Sequence, residues 1–135
     1  MMLGALIEGL GLGVHGGRAV ADPASVRVCD ITEDSRTAMP GSLFIARAGT
    51  KSDGRRFVAP AIEAGAEAVL TDAAPDAGMI EAHPHAVFVV TPEVPRVAAV
   101  LAERFYGGPT SKLKVMGVTG TNGKTTVAHC VHQLI

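Results

Sequence analysis

The sequence has no tryptophan and a single tyrosine, and no lysine or arginine run is interleaved with aromatics. Stacking platforms for single-stranded nucleic acid are therefore missing, and a formal net charge of -1 supplies no global basic field for a polyanion. No apolar run approaches the length needed to cross a bilayer. The opening MMLGALIEGLGLG lacks the basic segment of a secretion signal. Only two cysteines occur, Cys29 and Cys130, in no CxxC pair. That scarcity predicts buried thiols in a reducing cytosol rather than a disulfide framework. What is present is an ordinary globular composition, 47% hydrophobic and 19% charged, which excludes a disordered chain. With 135 residues, one good core is affordable, and a soluble cytoplasmic α/β protein is expected.

Periodicity places the elements. Residues 2–10 read as a short amphipathic helix ending in glycines. VRVCDIT, residues 26–32, alternates as a strand, and SLFIARAG, residues 42–49, reads as a second strand. EDSRTAMPG between them is turn-rich, and Asp53-Gly54 is a strong turn signal. Arg55 to Ala64 is helical, with Pro60 tolerated only in the first turn. EAVLTD and HAVFVV read as buried strands flanking a loop with one helical turn. Val94, Val97, Ala98, Leu101 and Phe105 recur at helical spacing, so a helix is expected over 94–106. GGPTSK, residues 107–112, breaks the pattern and marks a domain boundary. LKVMGVTG is expected as a strand, and 124–135 as a helix with Val127, Val131 and Leu134 on one face. Alternating strands and helices from residue 42 argue α/β, with one domain over 1–108 and the start of another over 109–135.

Two segments look like nucleotide loops. GLGVHG, residues 11–16, matches GxGxxG, but a helix-like segment precedes it and no convincing helix follows. A dinucleotide site needs the reverse context, so a flexible Gly-rich turn is the expectation. GVTGTNGKTT, residues 117–126, has the right context: a Val-rich segment runs in and a periodic helix runs out. Gly120 and Gly123 let backbone N–H groups of the 120–126 loop (Gly120, Thr121, Asn122, Gly123, Lys124, Thr125, Thr126) point at phosphate oxygens. The helix N-terminus adds its positive dipole end. Lys124 can reach the β- and γ-phosphates of ATP, and the Thr125 hydroxyl can ligate Mg²⁺. The strict P-loop pattern would place a glycine at Val118, and the nearest one is Gly117. A P-loop alone does no chemistry, because the nucleophile and a second metal ligand must come from elsewhere. Residues 113–135 are thus expected to be the opening of a larger ATPase domain, and no catalytic residue is assigned within the 135.

His129, Cys130 and His132 lie close on the last helix with no carboxylate to complete a metal site, so surface histidines beside a core cysteine are expected. His83 and His85 flank Pro84 in a loop and suggest nothing further.

Residues 32–72 resemble the N-terminal domain of the Mur ligases of peptidoglycan synthesis. The resemblance rests on Asp34-Ser35-Arg36, the Pro40-Gly41-x-Leu-Phe-x-Ala block, Gly49, Asp53-Gly54-Arg55 and Ala61…Gly65-Ala66. RFYGGPTSKLKVMGVTGTNGKTT is similar to that family's junction into its ATPase domain, and GVTGTNGKTT looks most like the type that adds the third residue to UDP-N-acetylmuramoyl-L-alanyl-D-glutamate. The resemblance implies a UDP-binding domain with a mixed sheet, ATP and Mg²⁺ as cofactors, and formation of an acyl phosphate that an amine attacks. It implies Glu33 (through its backbone), Ser35 and the 50–52 loop as uridine or diphosphate contacts. Uracil presents two carbonyl acceptors and one imide donor, which Ser35, Thr37, Thr50, Lys51, Ser52 and loop backbone can meet. Lys51 is proposed as a diphosphate contact; relatives often carry His-Gln where this chain has Thr50-Lys51. Arg36 and Asp53 either touch ligand or form local ion pairs that fix the two loops. Two other readings remain: another Mur ligase, such as the D-alanyl-D-alanine-adding enzyme, and a stand-alone nucleotide-binding module. The 113–135 stub is expected to pack either against the first domain or, by self-association, against a second chain.

Overall fold

A computed structural model describes residues 1–17, 22–48, 53–114 and 116–134. Five strands form one mixed sheet in the order β1-β5-β4-β3-β2. Strands β2 (Asp30–Thr32), β3 (Ser42–Ala46), β4 (Ala66–Thr71) and β5 (Val87–Val90) add in chain order, each parallel to the last. Strand β1 (Gly13–Gly16) closes the far edge, antiparallel to β5. Consequently β2 to β5 all end at the same edge of the sheet, and the loops that leave them gather there.

Both faces of the sheet are covered, which is why β3, β4 and β5 read as continuous apolar runs. Side-chain alternation sorts them. Leu43, Ile45, Ala68, Leu70, Val87 and Val89 pack against α1 (Leu3–Ile7) and α4 (Val94–Phe105). Phe44, Ala46, Val69 and Phe88 pack on the other face with α2 (Val58–Glu63), and Met79 of α3 (Ala77–Ala82) adjoins them. Helix α4 buries Val94, Val97, Ala98 and Leu101, the residues its periodicity selects. Pro60 falls in the first turn of α2, where its missing N–H costs nothing. Arg104 of α4 donates to the carbonyls of Leu6 (2.7 Å) and Glu8 (2.8 Å), capping the end of α1 across the chain.

Four expectations are corrected. GLGVHG is no turn: residues 13–16 are the edge strand β1, because β5 offers an open ladder and Val14 can pack on the α1/α4 core. The strand expected over 26–32 is shorter, since the preceding residues pair elsewhere: Arg27 bridges Met2, and Val26 accepts from the Leu3 amide at 2.8 Å. LKVMGVTG forms no strand among the described residues, because a strand exists through its ladder and 116–120 have no partner. Both cysteines are exposed rather than buried. Val28, 1% exposed, takes the inward position beside Cys29, and Cys130 lies on α5 (Lys124–Leu134), where residues 124–130 are all exposed.

Gly107 and Gly108 end α4 with φ of +74° and +71°, a conformation that glycine adopts without a Cβ penalty. A 3-10 turn over Pro109–Lys112 follows, tied back where Glu103 Oε1 accepts from the Thr110 N–H (3.0 Å) and hydroxyl (2.6 Å).

Candidate functional site

Two short turns of the same construction stand side by side at the C-terminal edge of the sheet. After β2, Asp34 caps a 3-10 turn over Ser35–Thr37 by accepting the Arg36 N–H at 3.0 Å, and the Arg36 guanidinium returns to the same carboxylate at 2.6 Å. After β3, Asp53 caps a 3-10 turn over Gly54–Phe57 by accepting the Arg55 N–H at 3.0 Å, and Arg55 returns to it at 2.6 Å. Each is an Asp-x-Arg clamp. The Arg36 side chain, then its backbone N–H, holds the Asp34 carboxyl down to about 2. Arg55 lowers Asp53 by the same two bonds in the same order. Arg36 and Asp53 therefore serve local ion pairs, though with Asp34 and Arg55 rather than with each other.

The first turn shapes an open hollow of about 490 Å³ lined by Glu33, Asp34, Ser35, Arg36 and Phe57. Ser35 is half-buried, and among the described residues its hydroxyl has no hydrogen-bond partner, so it is available to a ligand. The exposed Thr37 hydroxyl meets Thr32 Oγ1 at 2.7 Å and donates to the Asp34 carbonyl at 2.9 Å, so it also braces the turn. Glu33 reaches across to Arg47, just after β3, with Oε2 to Nη2 at 3.5 Å. Arg47 also accepts the Gly54 N–H at 3.0 Å, which closes the base of the loop over 47–54. A Cβ on Gly54 would lie 2.4 Å from the Arg47 oxygen, so only glycine fits there. Thr50, Lys51 and Ser52 lie outside the described residues.

Phe57, 42% exposed, and Arg47 are site residues that sequence reasoning missed. The signal for Phe57 was an aromatic placed at a helix start with no periodic partner. Arg47 had no local signal, because its partner lies on the preceding strand's loop.

The second candidate is the loop over 116–123 and the start of α5. Gly120 (φ +150°) and Gly123 (φ +76°) adopt backbone that other residues avoid, and no atom lies within 4 Å of a Cβ built on Gly123. Val127 N–H bonds the Gly123 carbonyl at 2.9 Å. The amides of Lys124, Thr125 and Thr126 have no backbone acceptor among the described residues and are free for an anion. The Lys124 ammonium donates to the Gly120 carbonyl at 2.6 Å, so the charge is held over the loop. This donor set, positive and acceptor-poor, fits a nucleotide phosphate. Thr121, Asn122, Thr125 and Thr126 are all exposed. On the same helix, His129 faces Gln133 with Nε2 to Nε2 at 3.2 Å.

No helix of the described residues is long and apolar enough to cross a membrane.

The model of the Mur ligase family, catalytic domain, matches residues 28–106. The chain is 39% identical over 111 residues to the UDP-N-acetylmuramoyl-L-alanyl-D-glutamate--2,6-diaminopimelate ligase of Listeria monocytogenes, covering 82% of this chain and 21% of that protein. The protein of the same name from Syntrophomonas wolfei is 38% identical across all 135 residues, the phosphate loop included, and 26% of its length is covered. The chain thus spans 21% and 26% of the length of these two relatives. Among solved structures, MurF from Acinetobacter baumannii superposes with a TM-score of 0.64 at 24% identity, covering 93% of this chain and 25% of that one. MurF from Thermotoga maritima, solved with ADP, gives 0.50 at 24% identity over 75% of this chain and 21% of that one. At that identity these two show the fold alone.

Proposed function

Because this chain belongs to the Mur ligase family, we propose that residues 1–108 bind the UDP end of UDP-N-acetylmuramoyl-L-alanyl-D-glutamate, and that residues 109–135 open the ATP-binding domain of a ligase joining a third amino acid to it. The observation that carries the reading is the gathering of the Asp34 and Asp53 turns at one sheet edge, with the Ser35 hydroxyl unengaged between them. Ligands of open α/β sheets bind at the carboxyl ends of the strands. Glu33 backbone and Ser35 would meet the uracil edge, Phe57 would cover its face, and the 50–52 loop would approach the diphosphate. Thr37, at the same edge, also keeps the turn in shape.

At the phosphate loop, Lys124 and the amides of 124–126 would hold the ATP phosphates, with Gly120 and Gly123 giving close approach. The Thr125 hydroxyl would be a ligand of Mg²⁺, which supplies charge neutralisation between the phosphates. No carboxylate occurs in residues 113–135, so the second metal ligand must come from outside that segment. The chemistry of the whole protein would be ATP-dependent activation of the glutamyl carboxylate as an acyl phosphate, followed by amine attack. Diaminopimelate is the incoming amino acid in the relatives' names. Those relatives, 39% and 38% identical, match more closely than the MurF structures at 24%, which favours this type. The reading carries with it a cytoplasmic location.

Calorimetric titration with the UDP-linked dipeptide, UDP and ATP tests the proposal. The 135 residues should bind both UDP compounds, weaken on Ser35→Ala, and bind ATP feebly. Binding of ATP alone would instead support a nucleotide-sensing module. Exposed Leu113, Met116 and Val127 should also drive self-association; sedimentation independent of concentration would remove that expectation.

A further inference from the structure

Four cationic side chains cluster around the two Asp-x-Arg turns, and they are not equally committed. Arg36 and Arg55 are each locked by at least two bonds, the shortest 2.6 Å, onto the carboxylate two residues back. Arg47 is different. Its ion pair among the described residues is a single contact of 3.5 Å to Glu33, with both side chains about half exposed (51% and 52%). Such pairs hold weakly and exchange readily. Its backbone, by contrast, is fixed: the carbonyl takes the Gly54 N–H at 3.0 Å, and Gly54 is so close that no side chain fits between them. A pinned base with a loosely held guanidinium is an arm that can change partners without moving the loop. Its resting partner Glu33 lines the hollow that holds Ser35.

We propose that Arg47 is a diphosphate-binding residue, which leaves Glu33 and closes on the phosphates when a uridine diphosphate occupies the hollow. The inference rests on the proposed UDP-binding role of this edge. A planar guanidinium suits it, since its paired N–H donors match phosphate oxygens two at a time. Glu33 then has a double effect: it keeps the guanidinium beside the hollow in the free protein, and it competes with the ligand for it. Arg56, also exposed, is on the second turn rather than beside Glu33 and serves as the control cation.

The test is titration of the 135-residue protein with UDP and with uridine, which shares the base and lacks phosphate. Arg47→Ala should weaken UDP by about tenfold or more, the range of a charged hydrogen bond, while uridine binds as before. Arg47→Lys should recover part of the loss. Glu33→Gln should tighten UDP roughly two- to threefold in the native background, the scale of a released exposed ion pair, and should not do so beside Arg47→Ala. Equal weakening of UDP and uridine by Arg47→Ala would mean a structural role and overturn the proposal. So would no weakening, or a loss seen with Arg56→Ala in its place. If the unmodified protein binds neither UDP nor uridine, the UDP-binding reading itself falls and this inference with it. UDP binding that survives Arg47→Ala unchanged removes only the inference.

Discussion

Residues 1–105 and residues 116–134 are built on opposite terms. In the first, the core strands are enclosed by helices on both faces, and Leu43, Val69, Leu70, Val87 and Val89 are fully buried. In the second, every residue from 116 to 130 is exposed, and Met116 and Val127 are 64% and 49% accessible. Yet the second carries the sharper chemical motif. Its loop is shaped by glycine φ angles and by a helix start, both of which are local properties. Such a loop can therefore be specified by residues close in sequence, whereas the core joins β3, β4 and β5 from distant parts of the chain. An 11-residue helix has little intrinsic stability in water, so α5 depends on what it packs against.

Substitutions should divide along that line. Phe44→Ala, in a side chain 1% exposed, should cost about 3–5 kcal/mol in denaturant unfolding, and Val127→Ala should stay within about 0.5 kcal/mol. Similar losses at the two would show that the helix is as well packed as the sheet. Lys124→Ala should weaken ATP binding by about 1.5–3 kcal/mol, measured on a polypeptide as long as the relatives, and should leave unfolding of the body unchanged. A stability loss without an affinity loss would reassign that lysine to structure. Gly54→Ala should destabilise the body by about 1–3 kcal/mol through collision with Arg47. Gly123→Ala meets no neighbour and faces only backbone strain, about 1–2 kcal/mol.

Acid gives the smallest contrast. The folded Asp34 titrates near 2 against an ordinary 3.8, so its clamp contributes fully above about pH 4 and is lost as pH falls toward 2. Asp53 shifts the same way. NMR titration of the two carboxyl carbons should show both midpoints below the ordinary value, and Arg36→Gln should return Asp34 toward it. Residues 113–135 hold no Asp or Glu, so no side-chain carboxyl there should move across this range.

How much of this could be read from the chain follows the range of the forces involved. Helix α4, the parallel strands β3 to β5 and the tolerated Pro60 came from local periodicity and were legible. Strand β1 was not, since GLGVHG becomes a strand only through β5, more than 70 residues on. LKVMGVTG shows the converse: among the described residues, its strand-like composition makes no strand without a ladder. The cysteines were misread because Val28 competes for the inward position and α5 buries nothing around Cys130. At the candidate site, the Asp-Ser-Arg and Asp-Gly-Arg blocks form capped turns at one edge of the sheet. The Thr37 hydroxyl is hydrogen-bonded within the turn, and the link from Glu33 to Arg47 spans two loops that only the parallel register brings together.

The closure of the sheet by β1 also sets an order in time. Strands β2 to β5 can join one after another as a ribosome releases them, each onto the one before. Strand β1 is made before all of them, yet its ladder runs to Val87–Val90, and the carbonyls that end α1 wait for Arg104. A segment made before β2 to β5 thus settles after them. Until Val87–Val90 and Arg104 have emerged, the nascent chain carries an unpaired β1 and an α1 whose final carbonyls are uncapped.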